Sequence, residues 1–152
     1  MRVAFVCWGN ICRSPVLERV FQRHAAQAGI DVEAESFGIS AEELGNPIDR
    51  RAQRVLRAAG YDAGGHRARQ VRAADAQQVD LFVAAEDYHR ERLARLAPDA
   101  DIRLVTDFIP GRAPGEPMVD PWYGTDAGFD DTLADAEAAM PALLAEVRRL
   151  AG

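Results

Sequence analysis

The sequence predicts a single α/β domain: a doubly wound, four-stranded parallel sheet in the order 2-1-3-4, with helices on both faces. Three observations lead there. Short apolar runs alternate with segments of helical period along the whole chain. The strand candidates, such as Val3-Ala4-Phe5-Val6, are apolar at consecutive positions, the pattern of strands covered on both faces. At 152 residues the chain has the length of one ordinary domain with a proper core, and residues 1–152 are read as one unit.

The elements follow in order. Residues 3–6 form a buried strand. Residues 16–28 form an amphipathic helix, with Leu17, Val20, Phe21, His24 and Ala28 on one stripe and Gly29 ending it. Residues 32–37 are a second strand, followed by an irregular segment over 38–47. A helix over 49–59 turns Ala52, Val55, Leu56 and Ala59 inward and stops at Gly60. Residues 79–85 are a third strand, 88–96 a helix stopped near Pro98, and 102–105 a fourth strand. Residues 106–123 carry four Pro and read as a long loop, of the kind that is functional or disordered. A final helix covers about 129–150, kinked or divided at Pro141. Right-handed crossovers then give the order 2-1-3-4. The end of the first strand falls at the topological switch point, where open α/β sheets bind ligands.

Composition excludes several classes. A hydrophobic fraction of 48% is that of an ordinary globular protein. The net charge of −6 argues against nucleic acid or an acidic membrane as the main partner. All 18 basic residues are Arg, so clusters such as Arg50-Arg51 reflect compositional bias and read as solvated helix faces. Two cysteines make no secreted disulfide framework. The N-terminal apolar stretch, cut short by Trp8-Gly9-Asn10, is too short for a signal peptide, and no run is long enough to span a membrane. A cytoplasmic monomer is the expectation.

The chemistry is concentrated in Cys7-Trp8-Gly9-Asn10-Ile11-Cys12-Arg13-Ser14, directly after the first strand. A thiol at a strand tip, a short loop and then a helix start form a phosphate cradle. Amides of such a loop can point inward as an anion nest, and the helix adds its free N-terminal donors. Gly9 and Asn10 tolerate positive φ, Ser14 suits an N-cap, Pro15 the first helical position, and Glu18 the first turn. Arg13 offers a planar fork matching two phosphate oxygens. A buried strand cysteine and a solvated helix arginine would satisfy the same spacing, and it is the strand-loop-helix order that favours the cradle.

The segment Val6-Cys7-Trp8-Gly9-Asn10-Ile11-Cys12-Arg13-Ser14-Pro15 resembles the signature of the low-molecular-weight protein tyrosine phosphatases. The resemblance continues in Ser36-Phe37-Gly38, His66-Arg67-Ala68-Arg69-Gln70, Ala85-Glu86-Asp87-Tyr88-His89 and Asp120-Pro121-Trp122-Tyr123-Gly124, in family order across essentially the whole chain. It implies a phosphotyrosine-containing protein as substrate and double displacement without metal or cofactor. Cys7 is then the nucleophile and Arg13 the phosphate clamp, with backbone donors from Gly9, Asn10, Ile11 and Cys12. The family positions matching Asn10 and Ser14 hold the loop and hydrogen-bond the thiolate, and those matching Ser36 and His66 brace it. His66 reads equally well as an ordinary loop histidine, and His24 and His89 are read as structural.

Composition cannot choose a general acid among Asp107, Asp120, Asp126, Asp130 and Asp131; the resemblance assigns it to Asp120. Trp122 and Tyr123 are expected to wall the pocket, with Trp8 exposed at its rim, a slot favouring phosphotyrosine over phosphoserine. Cys12 is a candidate for a reversible disulfide with Cys7. Where many family members carry an aromatic pocket wall, this chain reads Ala41-Glu42-Glu43-Leu44, which predicts a bias toward basic peptides. The rival substrates and activities are phosphoarginine on the same fold, arsenate reduction, and non-catalytic phosphate binding. Ile11 and Tyr123 favour phosphotyrosine over the first, two cysteines are too few for the second, and a binder has no need of Asp120.

Overall fold

Arg2–Cys7 (β1) is buried from Val3 onward, and its alternation divides the molecule. Val3, Phe5 and Cys7 point into the larger core, whereas Ala4 and Val6 point into a smaller one on the other face. The computed structural model describes all 152 residues. Its remaining elements are Arg13–Gln27 (α1), Glu33–Gly38 (β2), Arg50–Ala58 (α2), Ala73–Ala76 (α3), Leu81–Ala84 (β3), Asp87–Leu96 (α4), Ile102–Leu104 (β4) and Ala127–Ala151 (α5). Short 3₁₀ turns at Val105–Phe108 and Pro121–Tyr123 lie within the long late loop.

The sheet is parallel throughout, in the order β2-β1-β3-β4 predicted from the alternation of elements. Helices α1, α2 and α5 cover one face, with Val16, Leu17, Val20, Phe21, Val55, Leu56, Met140 and Leu143 in its core. The rings of Phe5 and Phe21 meet there, with centroids 5.4 Å apart. On the other face α3 and α4 bring Ala76 and Leu93 against Phe37, Val71 and Phe82. Because β1 is central, the loop after Cys7 emerges between β2 and β3, at the switch point.

Three local expectations are corrected. Helix α1 begins at Arg13, so Ser14 and Pro15 are its second and third residues, and the N-cap position falls to Cys12, whose side chain caps nothing. Pro15 fits there because the first-turn N–H groups have no intrahelical acceptor. Ser14 is thereby freed for the sulfur, and Glu18 lies past the first turn, buried, instead of facing the helix end. Pro141 does not divide α5, which runs unbroken for 25 residues; the proline lies on the exposed side, where solvent can serve the carbonyl that lost its donor. Helix α3 is four residues long, too short to show a period in the sequence.

Candidate active site

Cys7 ends β1 with 3% of its surface exposed. The next residues turn back over it, with Asn10 in the left-handed region at φ 62°. An Asn tolerates that conformation better than most residues. The amides of Gly9, Asn10, Ile11 and Cys12 make no hydrogen bond within the chain, which leaves them free for an oxyanion. Ser14 closes the ring: its Oγ lies 3.1 Å and its amide nitrogen 3.4 Å from Cys7 Sγ.

Donor counting fixes how this ring is wired. The amide of Arg69 donates to Asn10 Oδ1 at 3.1 Å, so Asn10 Nδ2 must face the two serines. It donates to Ser36 Oγ at 2.9 Å and to Ser14 Oγ at 2.8 Å. Ser36 sends its own proton to Glu18 Oε1 at 2.8 Å. The Ser14 hydroxyl accepts from Asn10 and lies against the sulfur, and the Ser14 amide donates to Cys7 Sγ.

His66 is half-buried and places Nε2 2.6 Å from the Asn10 carbonyl. Burial pushes its proton affinity below that of an ordinary histidine, against the Asn10 carbonyl, which favours the charged ring. The neutral tautomer carrying its proton on Nε2 suits both conditions. Across the loop, the amide of Asp49 donates to the Ile11 carbonyl at 2.8 Å.

Arg13 is 3% exposed although it is charged. Its Nη1 donates to Glu86 Oε2 at 2.8 Å and to the Met118 carbonyl. Asp120 Oδ2 stands 3.6 Å from Nη2. The guanidinium is thus held by one corner, and its Nε–Nη2 edge makes no hydrogen bond within the chain. That edge is the fork that matches two oxygens of a phosphate. Asp120 is oriented in turn, accepting from the Trp122 amide at 3.0 Å as N-cap of the Pro121–Tyr123 turn.

These groups share one cleft of about 270 Å³, lined by Cys7, Gly9, Ile11, Cys12, Arg13 and Asp120, with walls from Trp8, Glu42, Glu43, Trp122 and Tyr123. Asn10, Ser14, Ser36 and His66 stand behind it. Trp8 is half-buried where exposure was expected: its ring leans on Tyr88 at 5.7 Å and its Nε1 donates to Glu42 Oε2 at 3.0 Å. Tyr123 is 86% exposed at the mouth. Burial, and next the Asp49 carboxylate, push the Cys12 thiol well above the ordinary cysteine range.

Across 2–151 the chain matches the family model described as low molecular weight phosphotyrosine protein phosphatase. The chain belongs to that family. A low molecular weight protein-tyrosine-phosphatase of Streptomyces coelicolor is 42% identical, over 97% of this chain and 93% of that one. Among solved structures, YfkJ of Bacillus subtilis superposes with a TM-score of 0.89 at 30% identity, covering 98% and 95% of the two chains. A Drosophila arginine phosphatase superposes with a TM-score of 0.88 at 26% identity, covering 97% and 98%. For a low molecular weight phosphatase, several contacts here had no signal in the sequence. Glu86, Met118 and Arg51 act through folding partners far along the chain. His89, read as structural, is buried near Arg13 with Nδ1 unpartnered, a proximity that only the packing of α4 creates.

Proposed function

We propose that residues 1–152 act as one protein-tyrosine phosphatase domain, working as a cytoplasmic monomer on phosphotyrosine-containing proteins with no metal or cofactor and no nucleic-acid or membrane partner. The observation that carries the reading is the convergence of Cys7 Sγ, free loop amides, the unbonded edge of Arg13 and Asp120 in one cleft. The Cys7 thiolate attacks phosphorus, and the bond from phosphorus to the phenolic oxygen breaks as Asp120 gives that oxygen its proton. Arg13 and the loop amides hold the equatorial oxygens, whose charge is best matched in the transition state. The product is a cysteinyl phosphate. A water then attacks phosphorus, giving its proton to the Asp120 carboxylate, and the sulfur–phosphorus bond breaks to return the thiolate. Trp122 and Tyr123 flank the aryl ring of the substrate.

A panel of phosphotyrosine, phosphoserine and phosphoarginine peptides tests the substrate class, the last because of the Drosophila relative. Phosphotyrosine should be turned over fastest, and a preference for phosphoarginine would replace the reading. Cys7→Ser should abolish turnover. Asp120→Ala should lower kcat on an aryl phosphate by about 10²-fold or more while vanadate still binds. Near-parental kcat in Asp120→Ala would remove Asp120 from the mechanism.

A further inference from the structure

The walls of the cleft carry uncompensated charges of opposite sign in different places. Glu42 and Glu43 line the cleft beside Trp8 and Gly9. Their carboxylates are bonded by neutral donors only, Trp8 Nε1 at 3.0 Å and Asn46 Nδ2 at 2.7 Å, so both keep their charge toward a ligand. On the other side, Trp122 separates the cleft from a second recess formed by Asp49, Arg50, Arg51, Arg54 and Asp126. Arg51 forms the partition: its guanidinium lies 5.1 Å from the Trp122 ring and 4.5 Å from that of Phe129, and it pairs with Asp49 at 3.1 Å. Arg50 and Arg54 stand one turn apart on α2, exposed, with no ion pair or hydrogen bond.

We infer that the cleft selects phosphotyrosine peptides whose two flanks are oppositely charged, with an acidic side chain on Arg50 and Arg54 and a basic side chain beside Glu42 and Glu43. The inference rests on the phosphotyrosine reading above and extends it to the residues around the phosphate. An extended chain advances roughly 3.3–3.6 Å per residue; Arg51 of the recess lies 5.1 Å from the Trp122 ring of the cleft wall, so the two hollows adjoin and a residue flanking the phosphotyrosine can be set toward the recess. Two guanidiniums four residues apart can hold one carboxylate between them. Asp126 faces the same recess and opposes the acidic flank, which sets a ceiling on its affinity. The bias toward basic peptides expected from Glu42 and Glu43 alone thus becomes one half of a two-sided preference. Arg50, read from the sequence as part of a solvated helix face, supplies the other half together with Arg54.

The test uses five phosphotyrosine peptides of equal length: neutral flanks, all-acidic, all-basic, and two mixed peptides that are reversals of each other. At low salt one mixed peptide should exceed its reversed twin by about ten-fold in kcat/KM and should also exceed both uniform peptides. The gap should shrink at 0.5 M salt, set by screening over a few ångströms. Arg50→Ala with Arg54→Ala should bring the ratio of the twins toward one, and Asp126→Asn should widen it. Twins hydrolysed equally by the parent protein, or a uniform peptide as the best substrate, would overturn the inference. Failure to hydrolyse even the neutral-flanked peptide would overturn the phosphotyrosine reading instead.

Discussion

The backbone amide of Arg69 donates to Asn10 Oδ1 at 3.1 Å, and that bond sets the direction of every hydrogen in the chain ending at Cys7. Were the Asn10 amide turned over, Ser14 and Ser36 would lose their donor, and the Ser14 hydroxyl would no longer be held against the sulfur. Asn10→Asp keeps the shape and the Arg69 bond but cannot donate to Ser14 or Ser36, and it adds a negative charge beside the thiolate. We expect kcat on an aryl phosphate to fall by about 10²-fold with the fold retained in circular dichroism. A loss of under about three-fold would show that this wiring is irrelevant to turnover.

Arg13 and Glu86 give the second prediction. The Glu86 carboxylate, 2.8 Å from Nη1, fixes the guanidinium plane, while the Nε–Nη2 edge makes no hydrogen bond and has Asp120 3.6 Å from Nη2. Glu86→Gln keeps a hydrogen-bond acceptor but weakens the hold, and we expect about a ten-fold drop in kcat with a smaller change in KM. A change confined to KM would instead assign Glu86 to binding alone.

His89 gives a pH dependence of stability. Burial, and then the positive charge of Arg13, push its pKa down to about 4 from 6.5. Between those values the unfolded chain binds a proton that the folded chain refuses, so stability is full above about pH 6.5 and is lost as pH falls toward 4. The full shift corresponds to at most about 3 kcal/mol. The urea midpoint of the parent should therefore fall more steeply from pH 6.5 to 4.5 than that of His89→Asn. Equal pH slopes in the two proteins would place the acid sensitivity elsewhere.

The two cysteines should react differently. Cys12 is buried with its thiol form favoured, whereas Cys7 Sγ accepts from the Ser14 amide and faces the unbonded loop amides of the cleft. Iodoacetate at neutral pH should label Cys7 first, read by peptide mass mapping, and inorganic phosphate should protect it. Comparable labelling of Cys12 would contradict the assignment. In Cys12→Ser, recovery from peroxide on reduction as complete as in the parent would exclude a protective Cys7–Cys12 disulfide.

The sequence was most legible where neighbours in space are neighbours in the chain. The strand ending at Cys7, the loop and the following helix are contiguous, and the sheet order follows from the handedness of the connections between strands. The start of α1 was misplaced because Ser14 and Pro15 carry strong terminus preferences, yet the loop runs straight into the helix and uses Ser14 for its own ring. Arg51 looks like any helix-face arginine until α5 and the Pro121–Tyr123 turn bring Phe129 and Trp122 beneath its guanidinium. His89 carries no local mark of its surroundings either, since Arg13 approaches it from a helix more than seventy positions earlier.

Gly38 sits opposite Cys7 in the β1–β2 register. A Cβ there would come within 2.9 Å of the Trp8 carbonyl, 3.1 Å of that of Ser40 and 3.2 Å of Gly9 backbone carbon. The phosphate loop therefore rests on bare main chain. Its height above the sheet is a property of strand pairing and does not depend on the side chains that wall the cleft. On the reading proposed above, substitutions at Trp8, Glu42, Arg50 or Tyr123 would alter the surroundings of the cleft, while the height of the Cys7 loop stays set by the sheet.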